Sequence, residues 1–486
     1  MRSRDSSRLA TVVCAIGVLV AGCTPTLPDE PADPARPVPA PTPGVPTPGA
    51  AGAGDPYYPF DGNGGYDALG YEVSFSYDPA SRRFEGDTTV TLRATQDLSR
   101  FNLDLRGFDV RSVEVAGRQA EFAREGEFEL VVTPAQQITA GATVSARVRY
   151  DGTPLAAAPG SLGDNGWQQS ASGGAFVLGE PHSAAFWFPV NETPRDKAKF
   201  TVNARVPSDW QVMSIGREQP GPTADGWTTT TWIEDRPVAS YLTTVAIDRF
   251  TIERGALSDG TPVIDAYAPG AEQRRESVGR VPEVIEFLSG RFGPYPQGSA
   301  GGIHLQADIG FSLETQGRPT YAQWADLETV VHELAHQWYG NSVSVQSWAD
   351  ICLNECLASY AQWLWSEGTT GENLDDRYRL AVDRFRADNG FWAPKLYDMG
   401  PGKEFDGVYD KGILAVHALR RQLGEQRFDR VLRGWADHNL GGNASWPEFE
   451  TFVGEIAGED LRGFFDAWFR GTVIPAEEYL YPAPPR

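Results

Sequence analysis

Two histidines four residues apart, with a glutamate directly after the first, lie in HELAHQWYG at 332–340, and eighteen residues separate His336 from a further glutamate, Glu355, in LNE at 353–355. On a helix four residues advance about 400°, so His332 and His336 stand on one face roughly a turn apart. Two imidazoles so placed can chelate one ion. Glu333, about 100° around the helix from His332, is badly placed as a ligand but can reach a water bound to that ion, which is the post of a general base. A third protein ligand must come from elsewhere, and Glu355 lies in ICLNECLASYAQWLW, an apolar segment able to form a second helix antiparallel to the first. With the fourth position left to water, the pattern predicts a hydrolytic site holding one Zn2+ per chain.

The motif HExxH, eighteen residues, then Glu within a W-L-N-E-G-F-A-like segment resembles the aminopeptidase N and leukotriene A hydrolase group of gluzincin metallopeptidases. The resemblance implies zinc ligands at His332, His336 and Glu355 with Glu333 as base. This chain departs from the pattern at Cys352, where Trp is usual, and at Cys356, where Gly is usual. GFSLETQGRPTY at 310–321 resembles the family's G-A-M-E-N loop, with Glu314 on its glutamate and Phe311, Ser312, Leu313 and Thr315 on its other letters. GEPHSAAFWFPVNETPRDKAKF at 179–200 is similar to the segment that supplies a second amine-binding acid, here Glu180. A pair of carboxylates suits one ammonium. GVYDKGILAVHALRRQLG at 407–424 resembles the family's Y-x-K-G helix, which implies that Tyr409 donates a hydrogen bond to the developing oxyanion. Taken alone, Glu180 and Glu314 would read as surface or hairpin acids and Tyr409 as a helix-start aromatic.

Metal-binding histidines need an acceptor behind them to fix the tautomer. Gln362 stands on the same helical face as Glu355, where relatives commonly carry an acid, and Glu328 lies one turn before His332; either could serve. Cys352 and Cys356 approach each other across one helical turn, as a buried thiol pair or a local disulfide.

Around this site the sequence reads as an α+β multidomain protein. From about 56 to 250 it runs strand after strand (YEVSFSYD, DTTVTLRA, ATVSARVRY, FTVNARVP, TTTTWIE) with Gly, Pro, Asp and Asn turns, an all-β domain by its period-2 alternation. From 251 to 486 the periodicity becomes helical, and SWPEFE carries a capping box in Ser445 and Glu448. The resemblance implies a saddle-like sheet domain followed by a mostly α, thermolysin-like zinc peptidase domain. It also implies a two-domain, more open enzyme, since the chain stops near the end of the family's catalytic domain.

At the other end, MRSRDSSR is a basic n-region, LATVVCAIGVLVAG an apolar stretch short for a membrane span, and VAGC at 20–23 resembles a bacterial lipobox. Residues 1–23 are expected to be a lipoprotein signal peptide, with Cys23 as the lipidated residue. A plain signal peptide or an uncleaved anchor would also export the chain. Residues 24–55, dense in Pro, Ala and Gly, are expected to be a tether. The chain is thus expected on the extracytoplasmic face of the cell membrane, a monomer touching the bilayer only through its lipid. A net charge of −23 argues against nucleic acid as a partner. The function expected is a zinc aminopeptidase acting on peptides with a free N-terminus. The alternatives are a zinc endopeptidase or other metal-dependent hydrolase, and a catalytically silent binding protein of the same fold.

Overall fold

The computed structural model describes residues 45–482. The expected signal segment with Cys23, and the tether as far as residue 44, lie outside the described residues. The tether ends sooner than its composition suggests. Thr47–Pro48 pairs in parallel with the strand Leu98–Asp104, and Ala51 bridges Asn63. Residues 47–55 therefore belong to the folded β region, because their backbone groups find sheet partners that Pro, Ala and Gly side chains do not advertise.

The β region is built on long alternating strands. β1 (Tyr66–Asp78), β2 (Arg83–Ala94), β3 (Thr143–Gly152), β4 (Ala198–Pro207) and β5 (Trp227–Val238) form the centre of an eight-stranded sheet in the order β5-β4-β1-β2-β3. Alternate residues of β1, namely Tyr71, Val73, Phe75 and Tyr77, point into the core. Phe75 stacks on Phe84 of β2 at 5.0 Å, and Tyr71 stacks on Phe200 of β4 at 4.9 Å, so cross-strand aromatic pairs fix the register. Two smaller sheets pack beside it. One of them contains Asp164–Gln169 and Ala175–Leu178, and the chain leaving the latter strand delivers Glu180.

The expected change to helix at 251 comes later than the sequence suggested. A four-stranded sheet intervenes: β6 (Thr251–Ala256), β7 (Pro262–Tyr267), β8 (Ala300–His304) and β9 (Thr320–Tyr321), in that order across the sheet. These strands are short and lack the even spacing of turn residues seen upstream, so helical periodicity in the intervening α1 (Val281–Phe292) dominates the pattern. The segment between β8 and β9 folds back on itself through a Leu313–Thr320 bridge and carries Glu314.

Two helices then hold the metal-type residues. α2 (Leu327–Ala335) starts at Asp326, whose carboxylate accepts from Thr329 N at 2.9 Å while Asp326 N donates to the Thr329 hydroxyl, and it stops where His336 becomes its C-cap. α3 (Cys352–Thr370) packs on α2 and ends at Gly371, whose φ of 74° needs a residue without Cβ. α4 (Lys411–Leu423) packs on α3. The approach is close: a Cβ on Gly412 would meet Cys356 Sγ at 2.6 Å. Cys352 and Cys356 are disulfide-bonded across one turn of α3, with Cα atoms 4.8 Å apart. The β and helical regions are clamped by Lys197, whose ammonium donates to the carbonyls of Asn341, Ser342 and Gly442 at 2.8–3.0 Å.

Candidate active site

α2 and α3 bring three donor atoms to one point. His332 Nε2 lies 3.1 Å from His336 Nε2 and 3.2 Å from Glu355 Oε2, and His336 Nε2 lies 3.5 Å from the same oxygen. Donors about 2.0–2.1 Å from a tetrahedral zinc are separated from one another by about 3.3 Å. The three edges bracket that value, so the set fits the metal the sequence implied.

What lies behind the rings sets their tautomers. His336 Nδ1 is 3.0 Å from the carbonyl of Tyr339, which can only accept; Nδ1 therefore carries the proton and Nε2 keeps its lone pair for a metal. His332 Nδ1 has the Ser359 hydroxyl at 3.4 Å. Neither Gln362 nor Glu328 fills that place: the Gln362 amide donates to the Glu328 backbone carbonyl at 3.0 Å. Ser359 was missed in the sequence, although it stands one turn after Glu355 on the same face.

All seven anticipated residues, Glu180, Glu314, His332, Glu333, His336, Glu355 and Tyr409, line one cavity of about 310 Å³. Oxygens of Glu180, Glu314 and Glu355 come within 4.8 Å of one another, as do donor atoms of Glu314, Glu333 and His336. Glu314 is fixed at both ends. Its backbone carbonyl accepts from Asn341 at 2.7 Å and Gln337 at 3.1 Å, and its carboxylate accepts from the Tyr241 hydroxyl at 3.3 Å. Glu180 is different: it is 1 % exposed and both carboxylate oxygens lack a partner among the described residues. Its loop is nonetheless anchored, since Asn165 Nδ2 donates to its backbone carbonyl at 3.1 Å.

Four buried carboxylates beside two imidazoles make a site that demands cations. Burial, and then the Glu314 charge, push Glu180 well above the usual carboxylate range. Burial also raises Glu314 and Glu333. Against its own burial, Glu355 is pulled down to about 2 by His336, which without a metal takes up a proton in its place, and by bonds from both imidazoles. A divalent ion at the ligand set would supply part of the missing positive charge. The Tyr409 ring lies 5.9 Å from that of His332 and rests against Phe405, at the start of α4. Burial, with the surrounding carboxylates, raises its phenol well above 10, so it stays a hydrogen-bond donor. Lys411 anchors this helix start by donating to the carbonyls of Trp392, Pro394 and Gly471.

Comparison with known proteins agrees with this geometry. The family model for the peptidase M1 N-terminal domain matches residues 68–242, and that for the peptidase family M1 domain matches residues 313–468. Aminopeptidase M1-B of Oryza sativa subsp. japonica is 25% identical over 323 residues, which are 59% of this chain and 36% of that protein. A probable aminopeptidase 1 of Saccharolobus solfataricus is 23% identical over 431 residues, 83% of this chain and 53% of that one. The chain thus spans between about a third and a half of the length of these relatives. The crystal structure of an M1 zinc metallopeptidase from Deinococcus radiodurans superposes with a TM-score of 0.81 at 28% identity, covering 89% of this chain and 99% of that one. On the two matched regions, the shared fold and the site they enclose, the chain belongs to the peptidase M1 family.

Proposed function

We propose that the protein is a zinc aminopeptidase that removes residues from the free N-terminus of peptides. The observation that carries this reading is the pairing, in one cavity, of a three-donor metal set with two buried carboxylates, one of them without a side-chain partner among the described residues. An endopeptidase has no use for that second feature.

His332, His336 and Glu355 would hold the metal. When bound, zinc supplies Lewis acidity toward the scissile carbonyl and acidifies the attacking water. Glu180 and Glu314 accept hydrogen bonds from the substrate ammonium and so set how far the scissile bond lies from the N-terminus. Tyr241 holds one oxygen of Glu314, leaving the other for the substrate. Glu333 takes a proton from the attacking water at a carboxylate oxygen and returns it to the leaving amine nitrogen. The Tyr409 hydroxyl donates to the carbonyl oxygen as negative charge develops on it. A mutant of the Deinococcus radiodurans protein has been solved with a Tyr-Ser-Ala substrate bound, which fits a short peptide as the substrate class here.

The test compares an aminoacyl-nitroanilide with an N-acetylated peptide, each with and without chelator. Chelator-sensitive cleavage of the free-amine substrate is the expected result, and cleavage of the blocked substrate alone overturns it. We further propose that the chain is exported and anchored by lipid at Cys23, on the strength of the n-region, apolar stretch and VAGC in its first 23 residues. Membrane fractionation of the parent and of Cys23→Ser tests this: the variant should leave the membrane fraction.

A further inference from the structure

The segment that follows the expected tether packs against residues that support the amine-binding pocket. Residues 50–64 form a loop closed at its base by the Ala51–Asn63 bridge and by Gly64 N to Ala50 O at 2.9 Å. The base is fixed to the β region, where Asn63 donates to Asn191 and Asp104. The tip lies on the catalytic region. Asp55 accepts from Trp348 N at 3.0 Å, the Tyr57 hydroxyl donates to Asp398 at 2.9 Å, and Gly400 N donates to the same hydroxyl at 2.8 Å.

Between these anchors sits Tyr58, which touches Trp348 and Ser161, residues linked in turn to Glu314 and Leu162 of the cavity lining. Toward one wall, its ring packs edge-on against Trp348 at 6.3 Å, Trp348 packs edge-on against Tyr241 at 5.3 Å, and the Tyr241 hydroxyl holds Glu314. Toward the other, its hydroxyl is 2.7 Å from Ser161 Oγ. Leu162, the next residue, lines the cavity, and Gly163 packs so closely on Phe311 that a Cβ there would stand 2.7 Å from the ring.

We propose that Tyr58 is a positioning residue for recognition of the substrate N-terminus: through Trp348 and Tyr241 it sets Glu314, and through Ser161 it sets the Leu162 wall. This rests on the aminopeptidase reading above. It makes the first folded segment a support of the substrate pocket.

The test uses the full chain loaded with zinc. Tyr58→Phe and Ser161→Ala each remove one hydrogen bond, so each should raise KM for an aminoacyl-nitroanilide by about 2- to 10-fold with kcat little changed. Because both lose the same bond, the double variant should be no worse than the poorer single one. Two inhibitors separate positioning from general loosening. A leucine hydroxamate, which carries the amine, should weaken in step with KM, whereas acetohydroxamate, which lacks it, should not. Unchanged KM in a folded, zinc-loaded variant overturns the proposal, and so does equal weakening of both inhibitors. Failure of the aminopeptidase reading would look different, since the parent protein itself would then leave the nitroanilide intact.

Discussion

Glu180 should be a residue whose loss harms the reaction and spares the fold. Its two carboxylate oxygens are buried without a partner among the described residues, while its backbone is held independently by Asn165. An uncompensated buried acid opposes folding, so its retention calls for a ligand that satisfies it. Glu180→Gln keeps the shape and removes the charge. A hydrogen bond to a charged partner contributes about 1.5–3 kcal/mol. At about 1.4 kcal/mol per tenfold, kcat/KM on a free-amine substrate should fall about 10- to 150-fold. Zinc content should stay at one equivalent, because Glu180 is not among the donors around the two histidines. Stability to urea should be no lower than the parent's, since the variant gives up a buried ionisable group. The assay is therefore threefold: nitroanilide kinetics, metal content and urea unfolding of the same preparation. Activity retained within about twofold would refute the reasoning, as would an activity loss explained by lost zinc or by unfolding.

Other substitutions separate the roles. Replacing His332, His336 or Glu355 by Ala should remove zinc on metal analysis, whereas Tyr409→Phe should keep it and lower kcat by about 10²–10³. Ser359→Ala should weaken zinc about tenfold in a competition titration, because it withdraws the hydroxyl behind His332. Gly412→Ala should lower stability by about 1–3 kcal/mol in urea unfolding, since its Cβ would collide with Cys356. Burial holds His417 neutral, down to about 4 from its ordinary 6.5, although Asp375 opposes the shift. Between those pH values the unfolded chain binds a proton that the folded one refuses. The contribution is complete above about 6.5 and is lost as pH falls to about 4, a loss of about 3 kcal/mol that His417→Gln should reduce.

The metal set was legible because its geometry is local: two residues on one helical face, and a third on the next apolar segment. The capping box at Ser445 was equally local, and it forms, with Glu448 accepting from Ser445 N at 2.7 Å. Glu180 and Glu314 became visible only through resemblance, because nothing near either residue says that a distant loop will meet it. Tyr241, Gln337 and Asn341, which hold Glu314, carried no sequence signal at all. Ser359 did carry one, its place a turn beyond Glu355, but Gln362 shares that face and drew the attention. The catalytic sheet was hidden by brevity, since two-residue and five-residue strands show too little alternation to compete with helical stretches around them. The tether was overextended for a related reason. Backbone pairing of Thr47–Pro48 with a strand fifty residues on leaves no trace in composition. The two cysteines that depart from the family pattern are read best in pairs with their surroundings. They bond to each other, and Gly412 on the facing helix leaves room for the sulfur of Cys356.

The most direct test of the account is anomalous diffraction at the zinc edge from crystals of the purified protein, with metal content measured on the same sample. The account predicts one zinc per chain, within bonding distance of His332 Nε2, His336 Nε2 and a Glu355 oxygen. A metal-free protein that still cleaves aminoacyl substrates, or an anomalous peak away from those three atoms, would contradict it.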